Sequence, residues 1–428
     1  MSADKQTDKP IPQKTSCADD WEPSVLSVEE AKNRILEHID PITGTEKLAL
    51  RSCLNRFLAT DVFSPVDVPA HPNSAMDGYA IAGSDLPVDE DRHYQIIDTC
   101  FAGKPSSSVC REGQVIRIMT GGLIPKGTDT VIMQEQVKIS DDGRAIIKSG
   151  HKTGQNVRLA GEDIPLNTKV LAKGHQINMA DLGILASLGI GELRVFRRPR
   201  VAFFSTGDEL RSIGETLNEG EIYDSNRYTL YAMLKQQGVD IIDMGVIPDE
   251  PDTLKNAFLE ATEMSDMVIT SGGVSVGEAD YIKPTLKALG DISFWKIRMK
   301  PGRPLTFGAL GQAKFFGLPG NPVAVMVTFL QFVKPALYYL ASGKNKPQVT
   351  LKAKSLSKLY KRPGRYEFQR GIFQQNEDGD LVVKRTGMQG SGILTSMSIA
   401  NCFILLDENC EGIEEGDHIE IQVFSNTL

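Results

Sequence analysis

The sequence lacks the residue patterns that mark zinc proteins, disulfide-stabilised proteins and general nucleic-acid binders. Its six cysteines form no CxxC pair and its six histidines are scattered, which leaves oxygen atoms as the expected ligands of any metal. Reduced, unpaired thiols are the expected state, as in the cytoplasm. The net charge of −8 argues against the basic surface that a phosphate-backbone binder needs.

Long hydrophobic runs are also scarce. Residues 1–20 are polar throughout and predict a disordered tail rather than a signal peptide. The most apolar long segment, 323–341, contains Gln331, Lys334 and Pro335, so we predict a buried helix and not a membrane span. We therefore expect neither nucleic acid nor a membrane among the partners.

Length and patterning predict several domains. The chain has 428 residues, which is too many for one ordinary core, and 41% of them are hydrophobic and 24% charged, as in soluble globular proteins. A capping box at Ser27 to Glu30 predicts the start of a first helix, and Asn178 is the expected cap of another. The predicted parts are an elongated helical or linker domain (21–60 and 150–194), a β-rich inserted domain (61–149), an α/β domain (195–343) and a small C-terminal β-barrel (344–428).

Strand-like and helical segments alternate between residues 201 and 340, which predicts a parallel sheet with helices on both faces. Ligands bind such sheets beyond the carboxyl ends of the strands. Three loops follow predicted strands there, at 205–209, 270–283 and 318–322. The middle loop, TSGGVSVGEADYIK, is rich in glycine and opens a helix, as phosphate sites often do. Ordinary turns could explain each loop alone, but together they favour a ligand site, with Asn321 capping a helix.

A basic segment lies between two of these loops. If residues 294–300 are extended, Lys296, Arg298 and Lys300 share one face of a strand. Like charges repel unless water or an anion neutralises them. A solvated edge strand is one explanation. The adjoining Pro-Gly-Arg-Pro loop, with Arg303, favours an oxyanion or phosphate ligand instead.

Carboxylates occur beside both groups of loops. Glu278 and Asp280 cannot hold phosphate themselves, so next to an anion they suggest a bridging divalent cation. In the β-rich region a single acid, Asp77, lies within NSAMDGYA, which alone could be a turn entering a strand. Further along the chain, Thr120 and Arg158 add a hydroxyl and a guanidinium, and Glu162 and Asp163 follow them.

Nine motifs, taken together and in order, closely resemble the molybdopterin molybdenumtransferase family, called MoeA in bacteria. They cover nearly everything from about residue 24 onwards, and so many independent motifs make the resemblance specific. The motifs are NSAMDGYA, MTGG-x-x-P-x-G-x-D-x-V, GED, FSTGDEL, Y-D-S-N, TSGGVSVGEADY, KPG-x-P, GLPGNPV and GSG-x-L-T-S-M-x-x-AN.

The resemblance implies a magnesium-dependent transferase. Family members insert molybdenum from molybdate into adenylylated molybdopterin and cleave the adenylate, releasing AMP and molybdenum cofactor. The implied fold is an elongated four-domain homodimer with a molybdopterin-binding α/β domain, whose active site also takes residues from the β-rich domain of the other subunit. A cytoplasmic location, a separate molybdopterin adenylyltransferase and molybdoenzyme acceptors are further expectations.

The resemblance also selects site residues. The expected catalytic residues are Asp77, Asp163, Glu209, Asp249, Asp280, Lys296 and Lys300, and the candidate magnesium ligands are Asp249 and Asp280. Thr120 and Arg158 are substrate contacts that the resemblance implies. The loops and the basic segment described above add further expected substrate contacts, which are Ser205, Thr206, Gly207, Ser271, Gly272, Gly273, Arg303, Pro319, Gly320 and Asn321.

Two other functions remain open at this point. A molybdopterin adenylyltransferase shares the α/β fold and a TSGG-type loop, but it would account only for residues 195–343. A non-catalytic scaffold of the same fold is the other alternative, and the retained acids and lysines argue against it.

Overall fold

The computed structural model describes residues 25–272 and 281–424, except for the side chain of Phe294. Two compact units are present: one is 45–195, and the other combines the described residues before and after it. The finer division into four domains stays a prediction, and the predicted N-terminal tail lies outside the described residues.

Eight α-helices are described, and a π-helical turn at Phe329–Val333 joins the sixth to the seventh. They are α1 (Val28–Glu37), α2 (Met179–Ser187), α3 (Ser225–Gln237), α4 (Pro251–Met264), α5 (Ile282–Leu289), α6 (Pro322–Thr328), α7 (Lys334–Ser342) and α8 (Thr395–Ser398).

The described strands divide between the two units. In the first unit they are β1 (Thr45–Ala49), β2 (Val62–Phe63), β3 (Asn73–Ser74), β4 (Gly78–Ile81), β5 (Arg92–Cys100), β6 (Gln114–Ile118), β7 (Thr130–Met133), β8 (Val137–Ile139), β9 (Ala145–Ile147), β10 (Val157–Arg158), β11 (Lys169–Leu171) and β12 (Glu192–Phe196). In the second unit they are β13 (Arg200–Thr206), β14 (Leu210–Arg211), β15 (Ile222–Tyr223), β16 (Asp240–Ile247), β17 (Met267–Ser271), β18 (Asp291–Lys296), β19 (Met299–Lys300), β20 (Pro304–Leu310), β21 (Ala313–Leu318), β22 (Thr350–Ser355), β23 (Leu359–Tyr360), β24 (Tyr366–Gln375), β25 (Leu381–Arg385), β26 (Cys402–Leu406), β27 (Gly412–Ile413) and β28 (His418–Val423).

The unit formed by 45–195 is built around a six-stranded sheet in the order β7-β4-β6-β5-β9-β8. Alternation in β4 sends Tyr79 and Ile81 into one core and Ala80 into another, as expected for a sheet covered on both faces. Beside this sheet, α2 packs Leu185 into a third core. Its predicted cap is present, because Asn178 Oδ1 accepts the backbone N–H of Asp181 at 3.0 Å. The predicted β-rich region is confirmed.

The second unit contains a six-stranded sheet in the order β16-β13-β17-β21-β20-β18. Val201 and Phe203 of β13 face the core that contains α1, α3 and the long helix, and Phe204 faces the core of α4 and α5. Helices therefore cover both faces, as predicted. The first four strands are parallel, whereas β20 runs antiparallel to both of its neighbours, β21 and β18. The sheet is therefore mixed, whereas the sequence predicted a parallel one.

The long helix that begins with α6 is a core element. Residues 322–342 are long and apolar enough to cross a membrane, but 67% of the most apolar stretch is buried within the protein. Val327, Phe332 and Leu337 are among the side chains that it contributes to the main core. The structure therefore agrees with the prediction of a buried helix.

A five-stranded barrel closes the C-terminal region. Its strands follow the order β24-β25-β22-β28-β26, and β26 pairs again with β24. This arrangement confirms the predicted barrel. Together with the α/β sheet and the β-rich unit it confirms the predicted fold class.

The basic segment 294–300 is not the single strand that its alternation predicted. Its first part belongs to β18 in the α/β sheet, whereas β19 pairs in parallel with β24 of the barrel. Between them, the backbone of Leu26 donates to Lys296 O at 3.0 Å and accepts from Arg298 N at 2.8 Å. This pairing with the N-terminal segment separates the two strands. The predicted alternation survives from residue 296 onwards, because Ile297 and Met299 are buried while Lys296 and Lys300 are exposed.

Candidate functional site at the strand ends

The three predicted loops meet at one edge of the α/β sheet. In the parallel register Ser205 pairs with Ser271, and Ser271 pairs with Leu318. Beyond the last pair, Gly272 N donates to Leu318 O at 3.2 Å. The chain turns at Gly320, whose missing β-carbon would lie 4.0 Å from the α-carbon of Gly272. The structure therefore brings these predicted site residues together.

Gly272 allows two of these strand ends to approach each other. Its φ angle of +93° lies in the left-handed region, and a β-carbon there would stand 2.6 Å from Thr206 O. A side chain at this position would collide with backbone, so the close approach requires glycine. Gly273, Glu278 and Asp280, which the sequence placed in the same loop, lie outside the described residues.

The start of α3 also lies at this edge of the sheet. The site residues predicted from the sequence did not include any residue of this helix. Asn226 Nδ2 donates to Ser271 Oγ at 2.9 Å and to Gly320 O at 2.7 Å. Asp224 caps the helix, with Oδ1 accepting Arg227 N at 3.1 Å. The Y-D-S-N motif was the available signal, because an N-cap that follows a strand of an α/β domain can point to the strand ends.

Five buried polar atoms at this edge have no hydrogen-bond partner within the described parts of the chain. They are Ser205 Oγ, Thr206 Oγ1, Asp224 Oδ2, Asn226 Oδ1 and Thr270 Oγ1. Buried polar atoms are rarely left unpaired, because each costs about 1–3 kcal/mol of desolvation. Their concentration at the ends of β13 and β17 and at the start of α3 fits a polar ligand or ordered water.

The remaining predicted residues of this edge differ in exposure. Glu209 is exposed, Asp249 is half-buried just beyond β16, and Pro319 is buried. Gly207 begins a turn that is closed by a 3.0 Å bond from Leu210 N to Gly207 O.

Asn321 stands at the N-cap position of α6, but its side chain makes no capping hydrogen bond, contrary to the prediction. The helix obtains a partner from the C-terminal region instead, since Val323 N donates to Ser391 O at 3.0 Å. Helix N-termini carry unpaired N–H groups, and a carbonyl from a neighbouring loop can satisfy one as well as a side chain can. The loop at 390–392 is thereby fixed beside the strand-end site.

Arg370 is a buried cation that the sequence analysis did not single out. It is 1% exposed. Its Nη2 donates to Gly390 O and its Nε to Ser396 Oγ, both at 3.0 Å. Burial lowers the pKa of the guanidinium to about 10, so it stays charged at neutral pH. Among residues 25–272 and 281–424, no carboxylate pairs with it. Arg370 follows Phe368 by two residues in a strand-like segment, and this pattern does not distinguish a functional arginine from an ordinary strand residue.

The basic residues of the segment 296–303 are also distributed differently from the expectation. Arg298 Nη2 lies 3.7 Å from Glu30 Oε2, and Lys300 Nζ lies 3.2 Å from Glu367 Oε1. Carboxylates therefore neutralise two charges that the sequence analysis had assigned to water or an anion. Lys296 is exposed at the end of β18 and Arg303 is half-buried just before β20.

The β-rich unit holds its own group of predicted residues. Asp77 Oδ1 accepts both the backbone N–H and the hydroxyl of Thr120, each at 2.7 Å. These two hydrogen bonds lower the pKa of the Asp77 carboxyl. Arg158 in β10 pairs with Asn73 in β3, so NSAMDGYA lies beside the segment that carries Arg158. Asp163 is exposed, and its backbone N–H donates to Val68 O at 3.0 Å.

Histidine, cysteine and acidic side chains are the common metal ligands of proteins. In the described part of the chain, no three histidine, cysteine or acidic side chains cluster closely enough to hold an ion.

A cavity of about 240 Å³ lies elsewhere in the second unit, between α1 and the barrel. Its lining includes Lys32, Gln331, Tyr366 and Glu408. None of the predicted site residues lines it, and the strand-end group is therefore a separate feature.

The fold and the strand-end group are those of an α/β protein with added β-rich domains, of the class that binds ligands beyond the carboxyl ends of its parallel strands. Three family models match the chain: the MoeA N-terminal region (domain I and II) at residues 26–189, a probable molybdopterin binding domain at 202–339, and the MoeA C-terminal region (domain IV) at 352–424.

Whole-chain relatives agree with these matches. The chain is 42% identical over 405 residues to the molybdopterin molybdenumtransferase of Haemophilus influenzae, covering 94% of this chain and 100% of that one. The enzyme of the same name from Bacillus subtilis is 33% identical, with 92% of this chain and 93% of that one covered. The solved molybdopterin biosynthesis moeA protein of Pyrococcus horikoshii superposes with a TM-score of 0.81 at 30% identity, covering 94% and 100% of the two chains. The chain therefore belongs to the molybdopterin molybdenumtransferase family of molybdenum cofactor biosynthesis.

Replacing Thr120 by valine should raise the pKa of Asp77 towards its ordinary value, because one of two hydrogen bonds to the ionised carboxylate is lost. In the unsubstituted protein the contact stabilises the fold at neutral pH, and this contribution disappears as the pH falls through the lowered pKa. The titration can be followed by NMR of the carboxyl carbon between about pH 2 and 7.

The matched control is Thr128→Val, since Thr128 Oγ1 donates to Pro125 O at 2.8 Å and not to Asp77. An unchanged Asp77 titration in Thr120→Val would show that the hydroxyl does not stabilise the carboxylate.

Proposed function

We propose that this protein inserts molybdenum from molybdate into adenylylated molybdopterin and cleaves the adenylate, releasing AMP and molybdenum cofactor. The observation that carries the proposal is the group of buried polar atoms at the carboxyl ends of β13 and β17 that have no hydrogen-bond partner among the described residues. They lie in the segment that matches a molybdopterin-binding domain, where a substrate rich in hydrogen-bonding groups would satisfy them.

Molybdate supplies a second reason for the proposal, because it is a tetrahedral dianion that needs cationic partners. Lys296 and Lys300 are exposed lysines, and Lys300 also pairs with Glu367. Arg370 provides a buried guanidinium with no paired carboxylate in the described regions, and it hydrogen-bonds the loop that contacts the start of α6. We assign Arg370 and Lys300 to molybdate, and Lys296 and Arg303 to the substrate phosphates.

Magnesium is the proposed metal, and Asp249 with Asp280 would hold it. The polar groups at this edge are carboxylate, hydroxyl and amide oxygens, which suit a hard cation. Two carboxylates suit this ion, because magnesium binds through one or two of them together with substrate phosphates and water. When bound, the ion would neutralise charge on the phosphoanhydride.

The decisive experiment measures AMP release by the purified full chain from adenylylated molybdopterin in the presence of magnesium. We expect release that depends on molybdate and yields cofactor able to activate an apo-molybdoenzyme. Sulfate, another tetrahedral dianion, is the matched control and should not replace molybdate in cofactor formation.

The alternatives give different results in the same assay. Adenylylation of molybdopterin by ATP would identify an adenylyltransferase, and neither activity would identify a scaffold. Lys296→Ala and Asp280→Ala should abolish turnover with a nearly unchanged melting temperature. A variant that unfolds would show a structural role for that residue.

Replacing Arg370 by glutamine should raise the molybdate concentration for half-maximal AMP release roughly ten- to a hundredfold, since a hydrogen bond to a charged group contributes about 1.5–3 kcal/mol and each 1.4 kcal/mol is a factor of about ten. The melting temperature should change little, because losing the hydrogen bonds to Gly390 and Ser396 is offset by removing a buried cation that has no carboxylate partner among the described residues. Arg385→Gln is the control, as Arg385 is an exposed barrel residue. Lower stability with an unchanged molybdate requirement would assign Arg370 a structural role only.

The protein is further proposed to act as a cytoplasmic homodimer that receives its substrate from a separate adenylyltransferase and passes its product to molybdoenzymes. The five described cysteines are free thiols, which fits a reducing compartment. Exposed apolar side chains at the start of α3, including Tyr228 (48%) and Tyr231 (45%), would suit an interface. A monomer in sedimentation velocity, or recovery of the protein outside the cytoplasm after cell fractionation, would contradict this proposal.

A further inference from the structure

The segment that carries Lys300 is held by the barrel and not by the α/β sheet from which the chain has just come. In β19, Met299 pairs with Tyr366 and Lys300 pairs with Glu367 of β24. Just before it, Tyr366 N donates to Arg298 O at 2.8 Å. The backbone position of this lysine is therefore set by the C-terminal domain.

The same strand supplies the partner of the ammonium group. Lys300 Nζ donates to Glu367 Oε1 at 3.2 Å. The lysine side chain is 51% exposed whereas the glutamate side chain is 10% exposed. A largely buried carboxylate thus restrains the terminal ammonium of a long side chain that is itself about half exposed to solvent. Lysine has about 2 kcal/mol of rotamer entropy to lose, so a fixed partner narrows the positions of Nζ considerably.

Glu367 is itself fixed on several sides. Its second oxygen, Oε2, accepts Gln369 Nε2 at 3.0 Å, and Gln369 also donates to Tyr360 O at 3.3 Å. Its backbone is held between β19 and β26, where Glu367 pairs with Leu406. Neither carboxylate oxygen is free to turn, and the hydrogen bond to Lys300 therefore has a defined direction.

We propose that Glu367 is a positioning residue that orients Lys300 for an anionic substrate, so that the barrel contributes to a reaction carried out with groups of the α/β domain. The inference rests on the proposed function. It assigns Glu367 no contact with substrate or with reacting atoms.

The direction in which a Glu367 substitution changes molybdate binding separates a positioning role from simple repulsion of the anion. A carboxylate near an anion repels it, so a glutamate that merely weakened binding would give tighter molybdate binding when neutralised. A glutamate that positions the lysine would give weaker binding. Glu367→Gln removes the charge while keeping the shape and the side-chain oxygen, and it therefore distinguishes the two effects.

We expect Glu367→Gln to raise the molybdate concentration for half-maximal AMP release roughly tenfold, as misplacement of a binding group does. The half-saturating concentration of adenylylated molybdopterin should stay unchanged. In a Lys300→Ala background the substitution should add no further loss, because Glu367 acts through the lysine. Glu367→Asp, which keeps the charge but retracts it by one methylene, should show part of the shift and provides a second variant if the glutamine variant folds poorly.

The contact between Glu367 and Lys300 can also be tested without measuring catalysis, so that its result does not depend on the proposed function. Labelling of Lys300 by an amine-reactive reagent, followed by mass spectrometry, should be faster in Glu367→Gln because the ammonium has lost its partner. The control is Glu414→Gln, which breaks the more exposed pair of Glu414 with Lys358 (Nζ to Oε1 2.6 Å) in the same domain. It should change neither the labelling of Lys300 nor the molybdate requirement.

Three results would overturn the inference: equal labelling rates, a molybdate requirement that is unchanged or lowered, or an equal additional loss in the Lys300→Ala background. AMP release that ignores molybdate in the unsubstituted protein would instead refute the proposed function. The labelling result would then still decide whether Glu367 holds Lys300.

Discussion

The candidate site depends on the register of three parallel strands. Because Ser205, Ser271 and Leu318 are matched across β13, β17 and β21, the chain leaves all three strands at the same level of the sheet. Backbone hydrogen bonds of the sheet fix this level, and the loops can then be short and still meet. A shift of one residue would move Ser205 and Ser271 to opposite faces, since successive side chains alternate. The polar atoms gathered at this edge are thus a consequence of strand pairing.

Polar groups at this edge lower the stability of the folded protein but suit the binding of a ligand. Thr206 and Asp224 are 4% and 3% exposed, yet each has a polar atom without a partner among the described residues. Such atoms lower the stability of the folded protein by their desolvation. Their concentration beside a glycine that permits close backbone approach fits a surface organised for a ligand, whose binding would restore the missing hydrogen bonds.

Local chemistry predicted much of this structure. The capping box at Ser27, the cap at Asn178 and the alternation of strands and helices were predicted correctly, because they depend on residues close in the chain. The single strand predicted for 294–300 failed because Leu26, far away in sequence, pairs with the chain in its middle. The missing cap at Asn321 has a similar origin, since the α6 N-terminus is satisfied by Ser391. Arg370 and Glu367 were not singled out because their roles depend on burial and on partners from other strands, which no local pattern reveals. Asp280 and Gly273 remain predictions from the motif alone.

The π-helical turn in the long core helix contributes to the position of the barrel against that helix. Gln331 of this turn is 1% exposed, and its Nε2 donates to Gln422 Oε1 of β28 at 2.8 Å. Apolar contacts around it tolerate sliding, because hydrocarbon surfaces have no preferred direction. An amide pair does not, since displacement by a helical turn would leave both side chains buried without partners, at about 1–3 kcal/mol each. The two glutamines therefore fix the position of the helix along the barrel. Apolar residues of either surface can then be substituted while the helix and the barrel keep their alignment.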